Sequence, residues 1–247
     1  EHQLSNADGA PMTMVSHPPM VREVNRTAGD IVAVVIADDV TLANDALELI
    51  DARYESRDAV TDVYAAIEEG APQLYDAYPN NIAFDWVAGN HDETDAALAA
   101  AADNGFEIFD IDVINNRVII NSMETRPIVA EPDPEDGTLN IWCGTQGPVG
   151  IAKQLTTALG LSKGGVRVRT GDVGGGFGFK IFLHPEQLIV AWAARKLGTR
   201  LRWQQNRSDG FLSDLHGRDN RTKARAVVDD DGKVHALHVT VHANMGS

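Results

Sequence analysis

The most informative stretch of this sequence is Gly171-Asp172-Val173-Gly174-Gly175-Gly176-Phe177-Gly178-Phe179-Lys180, in which four of the five residues from 174 to 178 are glycine. Glycine adopts left-handed backbone angles without steric cost and lets backbone N–H groups approach a ligand closely, as in anion-binding nests. Phe179 stands where a phosphate-binding loop needs glycine before its lysine, and where a dinucleotide-binding motif needs its third glycine. The stretch is therefore either a ligand-binding loop of another kind or a turn that lets two layers pack.

Regular elements are predicted on both sides of this glycine loop. The apolar spacing, with proline at helix starts and glycine at helix stops, predicts two strands separated by a helix, then the loop and a second helix. Two further strands flank the turn Asp229–Gly232 as a hairpin. In chain order these elements are Leu139–Cys143, Pro148–Leu159, Val166–Thr170, Pro185–Leu197, Ala224–Asp229 and Val234–Ala243.

The first half of the chain has weaker patterns. The β-branched run Ile31–Ala37 predicts a strand buried on both faces, followed by a helix capped by Thr41. The proline-containing stretch Glu69–Asn81 is predicted to be a connection and the main boundary. Beyond it the sequence predicts a strand, a helix and a strand pair that turns at Asn115-Asn116, over Ile82–Ala88, Asp92–Ala102 and Phe106–Ser122.

Composition limits the classes of protein that fit. A chain that is 43% hydrophobic and 23% charged can build cores, which argues against global disorder. The 36 acidic against 21 basic residues give a net charge of -15, which argues against nucleic acid and anionic membranes as partners. No apolar run approaches the ~20 residues of a spanning helix, and residues 1–20 lack a signal-peptide pattern. We therefore expect a cytoplasmic protein without membrane insertion.

Four pieces of the sequence, taken together and in order, resemble the molybdenum hydroxylases, the family of xanthine dehydrogenases, aldehyde oxidases and aerobic carbon monoxide dehydrogenases. The glycine loop Gly171–Lys180 resembles the loop that lies close to the molybdopterin cofactor in that family. The other three pieces are Met123-Glu124-Thr125-Arg126-Pro127, Gly144-Thr145-Gln146-Gly147-Pro148 and His216-Gly217-Arg218-Asp219. Ala33–Tyr54 is also similar to the end of the family's hammerhead-shaped domain.

The resemblance implies an α+β fold in which a partial hammerhead-like α/β domain precedes a mixed-sheet molybdopterin-binding domain. It divides the chain into an extended arm over 1–30, the end of the hammerhead-like domain plus a linker over 31–80, and the first part of the molybdopterin-binding domain over 81–247. A complete molybdenum-binding subunit of this family is about three times longer. We expect either a fragment or a split subunit that the remaining molybdopterin-binding polypeptide completes.

The resemblance also implies a site. Gln146 matches the glutamine whose side-chain amide donates to an oxygen ligand of molybdenum. Gly175, Gly176, Phe177 and Gly178 match the cofactor-binding loop, which brings backbone N–H groups and an aromatic wall to the substrate side of the metal. Gln146 and Phe177 are accordingly the expected catalytic residues. The pterin and non-protein ligands hold the metal in this family, so no metal-binding residue is expected, and the cofactor is expected in its cytosine dinucleotide form.

The implied reaction is hydroxylation of a carbon centre of a small molecule, with water as the oxygen source. Electrons would pass to an Fe-S subunit and an FAD subunit of a hetero-oligomer, because the single cysteine of this chain cannot bind an iron–sulfur cluster. Aldehydes, N-heteroaromatics and carbon monoxide are the candidate substrates. Purines are disfavoured, because Ile181 stands where the purine-oxidising branch has an acidic residue. The alternative is a catalytically incompetent scaffold or assembly fragment of such a complex.

Four other candidate residues have structural interpretations. His238 and His242 share one face of a predicted strand, but four residues separate them by ~13 Å, too far for one metal ion. Glu124 is predicted to form an ion pair or a scaffold contact beside Arg126. Cys143 lies within a predicted strand, where a thiol behaves as a small buried apolar group.

Overall fold

The computed structural model describes residues 4–12 and 17–245, so parts of the predicted arm, residues 1–3 and 13–16, lie outside the described residues. The predicted mixture of helices and strands is confirmed. The described residues form five α-helices and nine β-strands: α1 (Val40–Leu47), α2 (His91–Ala100), α3 (Pro148–Ala158), α4 (Pro185–Leu197), α5 (Arg207–Ser213), β1 (Glu107–Asn115), β2 (Val118–Ile119), β3 (Pro127–Pro132), β4 (Leu139–Cys143), β5 (Val166–Arg169), β6 (Leu201–Gln204), β7 (His216–Gly217), β8 (Asn220–Val228) and β9 (Val234–Ala243).

The chain folds into two compact units that are not continuous in sequence. The first unit comprises the described part of residues 1–16 together with 56–118 and 217–245, and the second unit comprises 17–55 and 119–216. The division into an arm, a hammerhead-like end and a molybdopterin-binding part stays a prediction.

The second unit is built on a four-stranded sheet with the order β5-β4-β3-β6. β4 and β5 are parallel and are joined through α3, whereas β3 runs antiparallel to both β4 and β6. Helix α3 buries Ile151 and Leu155, which are four residues apart and so lie on one helix face. They pack with apolar side chains of the sheet and of α4 to form the hydrophobic core of this unit.

The ends of α4 follow from its sequence. Pro185 occupies the first turn, where a missing N–H costs nothing, and Gly198 ends the helix with a left-handed φ of 65°. The predicted strands β4 and β5 and the predicted helices α3 and α4 are confirmed. The glycine loop occupies the connection between β5 and α4.

The first unit contains a three-stranded antiparallel sheet with the order β1-β8-β9. The predicted hairpin of β8 and β9 is confirmed, with a register irregularity between Val227 and Val228. Helix α2 packs against β9 and β8. Its start is capped by Asn90, whose side chain accepts a hydrogen bond from the backbone N–H of Glu93.

Some predicted elements are wrong. The strand pair turning at Asn115-Asn116 does not form, because all nine residues of β1 pair with β8, a distant strand that local turn signals cannot reveal. Residues 82–88 form no strand. Asp39, not Thr41, caps α1, since its carboxylate accepts from the backbone N–H groups of Thr41 and Leu42.

The segment 31–37 is also not a paired strand. Its side chains alternate between half-buried and exposed as far as residue 36, and its local pattern is that of a strand, but it belongs to no sheet of the described residues. A strand buried on both faces needs neighbouring strands and covering layers. The described residues supply neither for this segment.

Candidate functional site

The glycine loop has a backbone that few other residues could adopt. Gly175 and Gly178 have positive φ angles of 99° and 90°, in the region that favours glycine. Phe177, between them, has a φ of 49°, which is uncommon for a residue with a side chain. Phe177 is 73% exposed, so packing among the described residues does not account for this conformation. Such strain concentrates at binding and catalytic sites.

Gln146 and the glycine loop are bound to each other at two points. The side-chain Oε1 of Gln146 accepts a hydrogen bond of 2.9 Å from the backbone N–H of Gly178. The backbone N–H of Gln146 donates to the carbonyl of Lys180 over 3.1 Å. Because a backbone N–H can only donate, the first contact fixes which amide atom faces the loop. The side-chain NH₂ of Gln146 therefore points away from Gly178.

Gly176 is in closer contact with Gln146 than any other residue type would allow. A Cβ placed on Gly176 would lie 2.5 Å from Cδ of Gln146 and 2.6 Å from its Oε1. Gly174 is similarly restricted, because its Cβ would lie 2.6 Å from Cβ of Glu124. These two glycines are therefore required by close approach, whereas Gly175 and Gly178 are required by backbone angle.

A network around Thr145 and Lys180 holds the start of α3 against the end of the loop. The hydroxyl of Thr145 donates to the carbonyl of Lys180 at 2.7 Å and accepts from the backbone N–H of Gly147 at 3.1 Å. No role for the Thr145 hydroxyl was predicted from the sequence. The available signal was a threonine two residues before a glycine at a helix start, where hydroxyls commonly bond to the backbone.

Glu124 forms an ion pair, one of the two structural roles predicted for it, and its partner is Lys180. Nζ of Lys180 lies 2.8 Å from Oε2 of Glu124 and donates to the carbonyl of the same residue at 2.9 Å. Oε2 also accepts from the backbone N–H of Gly174 at 3.1 Å. The Lys180 side chain is 1% exposed, so its charge is compensated within the protein. Glu124 thus joins both ends of the glycine loop, a scaffold role consistent with the sequence analysis.

Arg126 belongs to a separate buried polar cluster. Its guanidinium lies 2.6 Å from Glu186 and 3.5 Å from Asp214, and its Nη1 donates to Nδ1 of His184 at 2.7 Å. Since Nδ1 accepts, Nε2 carries the hydrogen and donates to the carbonyl of Phe179 at 3.1 Å. This places a neutral histidine between the cluster and the end of the glycine loop.

The cluster shifts two pKa values in opposite directions. Burial, assisted by the Arg126 guanidinium, lowers the pKa of His184 to about 3 and keeps the ring neutral. Burial raises the pKa of Glu186, although Arg126 acts in the other direction. Both effects follow from the cost of a charge that is removed from water.

Donors for a ligand remain at the outer side of the loop. The N–H groups of Gly174, Gly175, Gly178 and Phe179 are used within the chain. The N–H groups of Gly176 and Phe177 and the side-chain NH₂ of Gln146 have no acceptor among the residues that the structure describes. The N–H of Gly178 thus forms an internal contact to Gln146, and the cofactor-binding role that the resemblance implies for Gly178 stays a prediction.

The other predicted side chains lie elsewhere. Cys143 is buried in β4, and burial, with the Glu124 carboxylate adding to it, raises the pKa of its thiol to about 11. His238 and His242 contact the rings of His91 and Tyr64 respectively, as structural histidines do. Among residues 4–12 and 17–245, no group of three His, Cys, Asp or Glu side chains could hold a metal ion. Within the same residues, no helix is long and apolar enough to cross a membrane.

Comparison with known proteins supplies the context of this site. The family model described as "Molybdopterin cofactor-binding domain" matches residues 74–247, which include Gln146 and the whole glycine loop. The chain belongs to the molybdenum hydroxylase family. The cofactor of this domain is molybdenum-molybdopterin, and the resemblance seen in the sequence is confirmed.

Individual members of the molybdenum hydroxylase family align over nearly all of this chain. It is 30% identical to the 6-hydroxypseudooxynicotine dehydrogenase complex subunit gamma of Paenarthrobacter nicotinovorans, over 94% of this chain and 28% of that protein. It is 28% identical to the carbon monoxide dehydrogenase large chain of Afipia carboxidovorans, over 99% of this chain and 32% of that protein. The chain therefore spans about a third of the length of these relatives.

A solved structure of the family has the same fold. Quinoline 2-oxidoreductase from Pseudomonas putida 86 superimposes with a TM-score of 0.79 at 32% identity, over 92% of this chain and 28% of that chain. The architecture described above is therefore that of a molybdenum hydroxylase segment. The part that matches the molybdopterin-binding domain contains both Gln146 and the glycine loop.

Proposed function

We propose that this chain is the molybdopterin-binding component of a molybdenum hydroxylase that oxidises a carbon centre of a small molecule. In such a reaction the carbon gains an oxygen atom from water, and two electrons and two protons leave. Aldehydes, N-heteroaromatic rings and carbon monoxide are the proposed substrate classes. The electrons pass to Fe-S and FAD partner subunits, and the remaining molybdopterin-binding polypeptide completes the site.

One observation carries this proposal. The N–H of Gly178 holds Oε1 of Gln146 at 2.9 Å, and this contact turns the NH₂ of the same amide outward. In the adjacent loop, the N–H groups of Gly176 and Phe177 are not used by any residue that the structure describes. These two N–H groups and the NH₂ of Gln146 are neutral hydrogen-bond donors that lie close together. Such donors suit the oxygen atoms at the periphery of an anionic cofactor.

The close packing of the loop against Gln146 also supports the proposal. Gly176 leaves a space that a Cβ would fill, 2.5 Å from Cδ of Gln146, so the loop and the amide form one closely packed surface. Gln146 would hold the cofactor through its side-chain NH₂, and Gly176 and Phe177 would hold it through backbone N–H groups. The bound cofactor supplies the two-electron oxidation of carbon with water as the oxygen source.

The chain itself contributes orientation and exclusion of water. A preorganised donor costs no reorganisation during the reaction, and the Lys180–Glu124 ion pair together with Thr145 keeps the donors in place. The exposed ring of Phe177 provides an apolar wall on the substrate side. Helix α3 begins two residues after Gln146, so the positive end of its helix dipole would lie near the anionic cofactor.

Four finer assignments extend the proposal. The cofactor is the cytosine dinucleotide form, and the complex works in the cytoplasm. Residues 31–80 correspond to the end of a hammerhead-like domain plus a linker, in line with the resemblance of Ala33–Tyr54. Ile181 makes purines poor substrates, because it offers no charge to a purine ring.

The test replaces Gln146 by Ala in the complex assembled with its partner subunits. We expect turnover to fall by roughly a hundredfold, because loss of one oriented donor has effects of this size in preorganised sites. Molybdenum content should stay unchanged, since the backbone donors remain. Turnover is measured with an aldehyde, with quinoline and with carbon monoxide, and molybdenum by mass spectrometry.

The matched control is Gln154→Ala, which removes an exposed glutamine from the outer part of α3 and should leave turnover unchanged. Unchanged turnover in the Gln146 variant would refute the role of this residue. A wild-type complex that contains all partners but no molybdenum would instead support the scaffold alternative.

A further inference from the structure

The three-stranded sheet of the first unit has one polar face and one apolar face. Directly opposed residues of antiparallel strands point to the same side, and neighbours along a strand point to opposite sides. The register therefore places Phe109, Ile111 and Val113 of β1 on the same face as Leu237, Val239 and Val241 of β9. Between them, β8 contributes Thr222, Ala224 and Ala226. We call these nine residues the apolar sheet face; none of them is charged.

The opposite face carries the charges. Asp110 and Asp112 of β1 form ion pairs there with Arg225 and Arg221 of β8. Helix α2 packs on this polar side, where the ring of His91 contacts the ring of His238. A two-layer domain normally covers the apolar face of its sheet and leaves the polar face to water. In this unit the helix packs on the face that carries the charges together with the buried Val227, and the apolar sheet face is left uncovered.

The apolar sheet face is open to solvent in this chain. Its six large side chains on β1 and β9 are each between 45% and 57% exposed. Such a contiguous apolar surface is uncommon on a monomeric protein and marks an interaction site.

The interior of the first unit is correspondingly small. Among its described residues, the buried apolar side chains are those of Ala101 and Val227. The second unit, by contrast, has a core of ten buried residues that includes Ile128, Ile141 and Leu155. A unit of this size with so little buried apolar surface depends on further burial elsewhere for its stability.

We propose that the apolar sheet face is the docking surface for the remaining molybdopterin-binding polypeptide of the enzyme. The chain covers only 28% to 32% of the three relatives compared above, so most of the length of each lies outside the part that aligns. Their additional polypeptide is a source of a covering layer within the same protein. The occupant should present an uncharged aliphatic surface, as a sheet face or an amphipathic helix does.

A second copy of this chain is the less suitable occupant. Two copies would bring together two molecules that each carry a net charge of -15. The inference rests on the proposed function, which includes the remaining polypeptide, but it does not depend on the catalytic role of Gln146.

The test exposes two samples to hydroxyl radicals, the 247-residue chain alone and the complete purified complex, and compares the oxidation of their side chains. We expect Phe109 and Leu237 to react in the isolated chain and to be protected at least tenfold in the complex. Equal oxidation of both residues in the two samples would overturn the proposal. An isolated chain that is already dimeric and protected at these residues would also overturn it, in favour of a second copy.

Two variants test the proposal independently of the hydroxyl-radical experiment. Val239→Asp places a charge on the apolar sheet face, and Thr240→Asp places the same charge on the opposite face one residue along β9. We expect the first variant to lose binding to the remaining polypeptide by at least tenfold and the second to retain it. Circular dichroism shows whether both fold. Retained binding by a folded Val239 variant contradicts the proposal. Protection of Phe109 and Leu237 in a complete complex that contains no molybdenum would refute only the proposed function.

Discussion

At the scale of single residues, the site depends on what glycine allows. Gly176 brings the loop into contact with the Gln146 amide, and the N–H of Gly178, a residue with a left-handed φ, donates to Oε1 of that amide. One hydrogen bond and one missing Cβ therefore determine where the NH₂ of Gln146 points. Neither effect involves a charged or nucleophilic side chain.

Replacement of Gly176 by Val should displace the Gln146 side chain, because the new Cβ would lie 2.5 Å from Cδ of Gln146. In the assembled complex we expect molybdenum content and turnover both to fall by tenfold or more. The control is Gly171→Ala in the same loop, where a Cβ meets no atom within 4 Å. Full molybdenum occupancy in the Gly176 variant would argue against the role of this close approach.

At the scale of elements, the start of α4 connects the glycine loop to the buried cluster around Arg126. His184 precedes α4, donates to the Phe179 carbonyl and accepts from Arg126. It can make both contacts only as a neutral ring. The pKa of about 3 means that the folded protein resists protonation of this histidine.

This histidine should make the second unit less stable in acid. In the unfolded chain its pKa is close to 6.5, so between pH 6.5 and about 3 the unfolded state binds a proton that the folded state does not. The free energy of unfolding should therefore fall as the pH falls, by about 2 kcal/mol between pH 7.5 and pH 5. Urea unfolding at a series of pH values measures this change in the free energy of unfolding.

The comparison variant is His184→Gln, which keeps a polar side chain but cannot titrate. Its stability should depend less on pH in the same range. The raised pKa of Glu186 acts in the opposite direction, because stability from a group with a raised pKa is lost as the pH rises, and it is present in both proteins. Identical pH profiles for the two proteins would show that His184 does not titrate as inferred.

At the scale of the whole molecule, the charge is unbalanced. The 36 acidic residues exceed the 21 basic residues by 15, and repulsion among them opposes the compact state. The exposed ion pairs oppose this effect only weakly, because such pairs contribute about 1 kcal/mol or less. Repulsion should therefore outweigh the attraction within these ion pairs at low ionic strength.

We expect the thermal unfolding midpoint of the chain to rise by about 2–4 °C when sodium chloride is raised from about 0.01 to about 0.5 M, as a gain of about 1 kcal/mol would produce. Circular dichroism measures the midpoint. An uncharged solute at equal osmolality is the control and should have less effect. A midpoint that falls with added salt would show that attractive ion pairs outweigh the repulsion.

Local patterns predicted much of the second unit correctly. The helix that begins at Pro148 and the helix that ends at Gly198 have their signals within a few residues of their ends, so α3 and α4 were predictable. The partner of β1 was not, because β8 is distant in the sequence and no local signal connects the two strands. Segment 31–37 has the composition of a strand, but pairing requires a neighbour that local sequence does not supply.

The sequence by itself determined the family and the glycine loop, because these depend on residue types in a fixed order, and it predicted a role for Gln146. Only the tertiary structure decided that Glu124 pairs with Lys180 and that the N–H of Gly178 is used by Gln146. The same holds for the apolar sheet face of β1, β8 and β9. Each of these features joins residues that are distant in the chain, and their distances and directions are set by the packing of strands and helices.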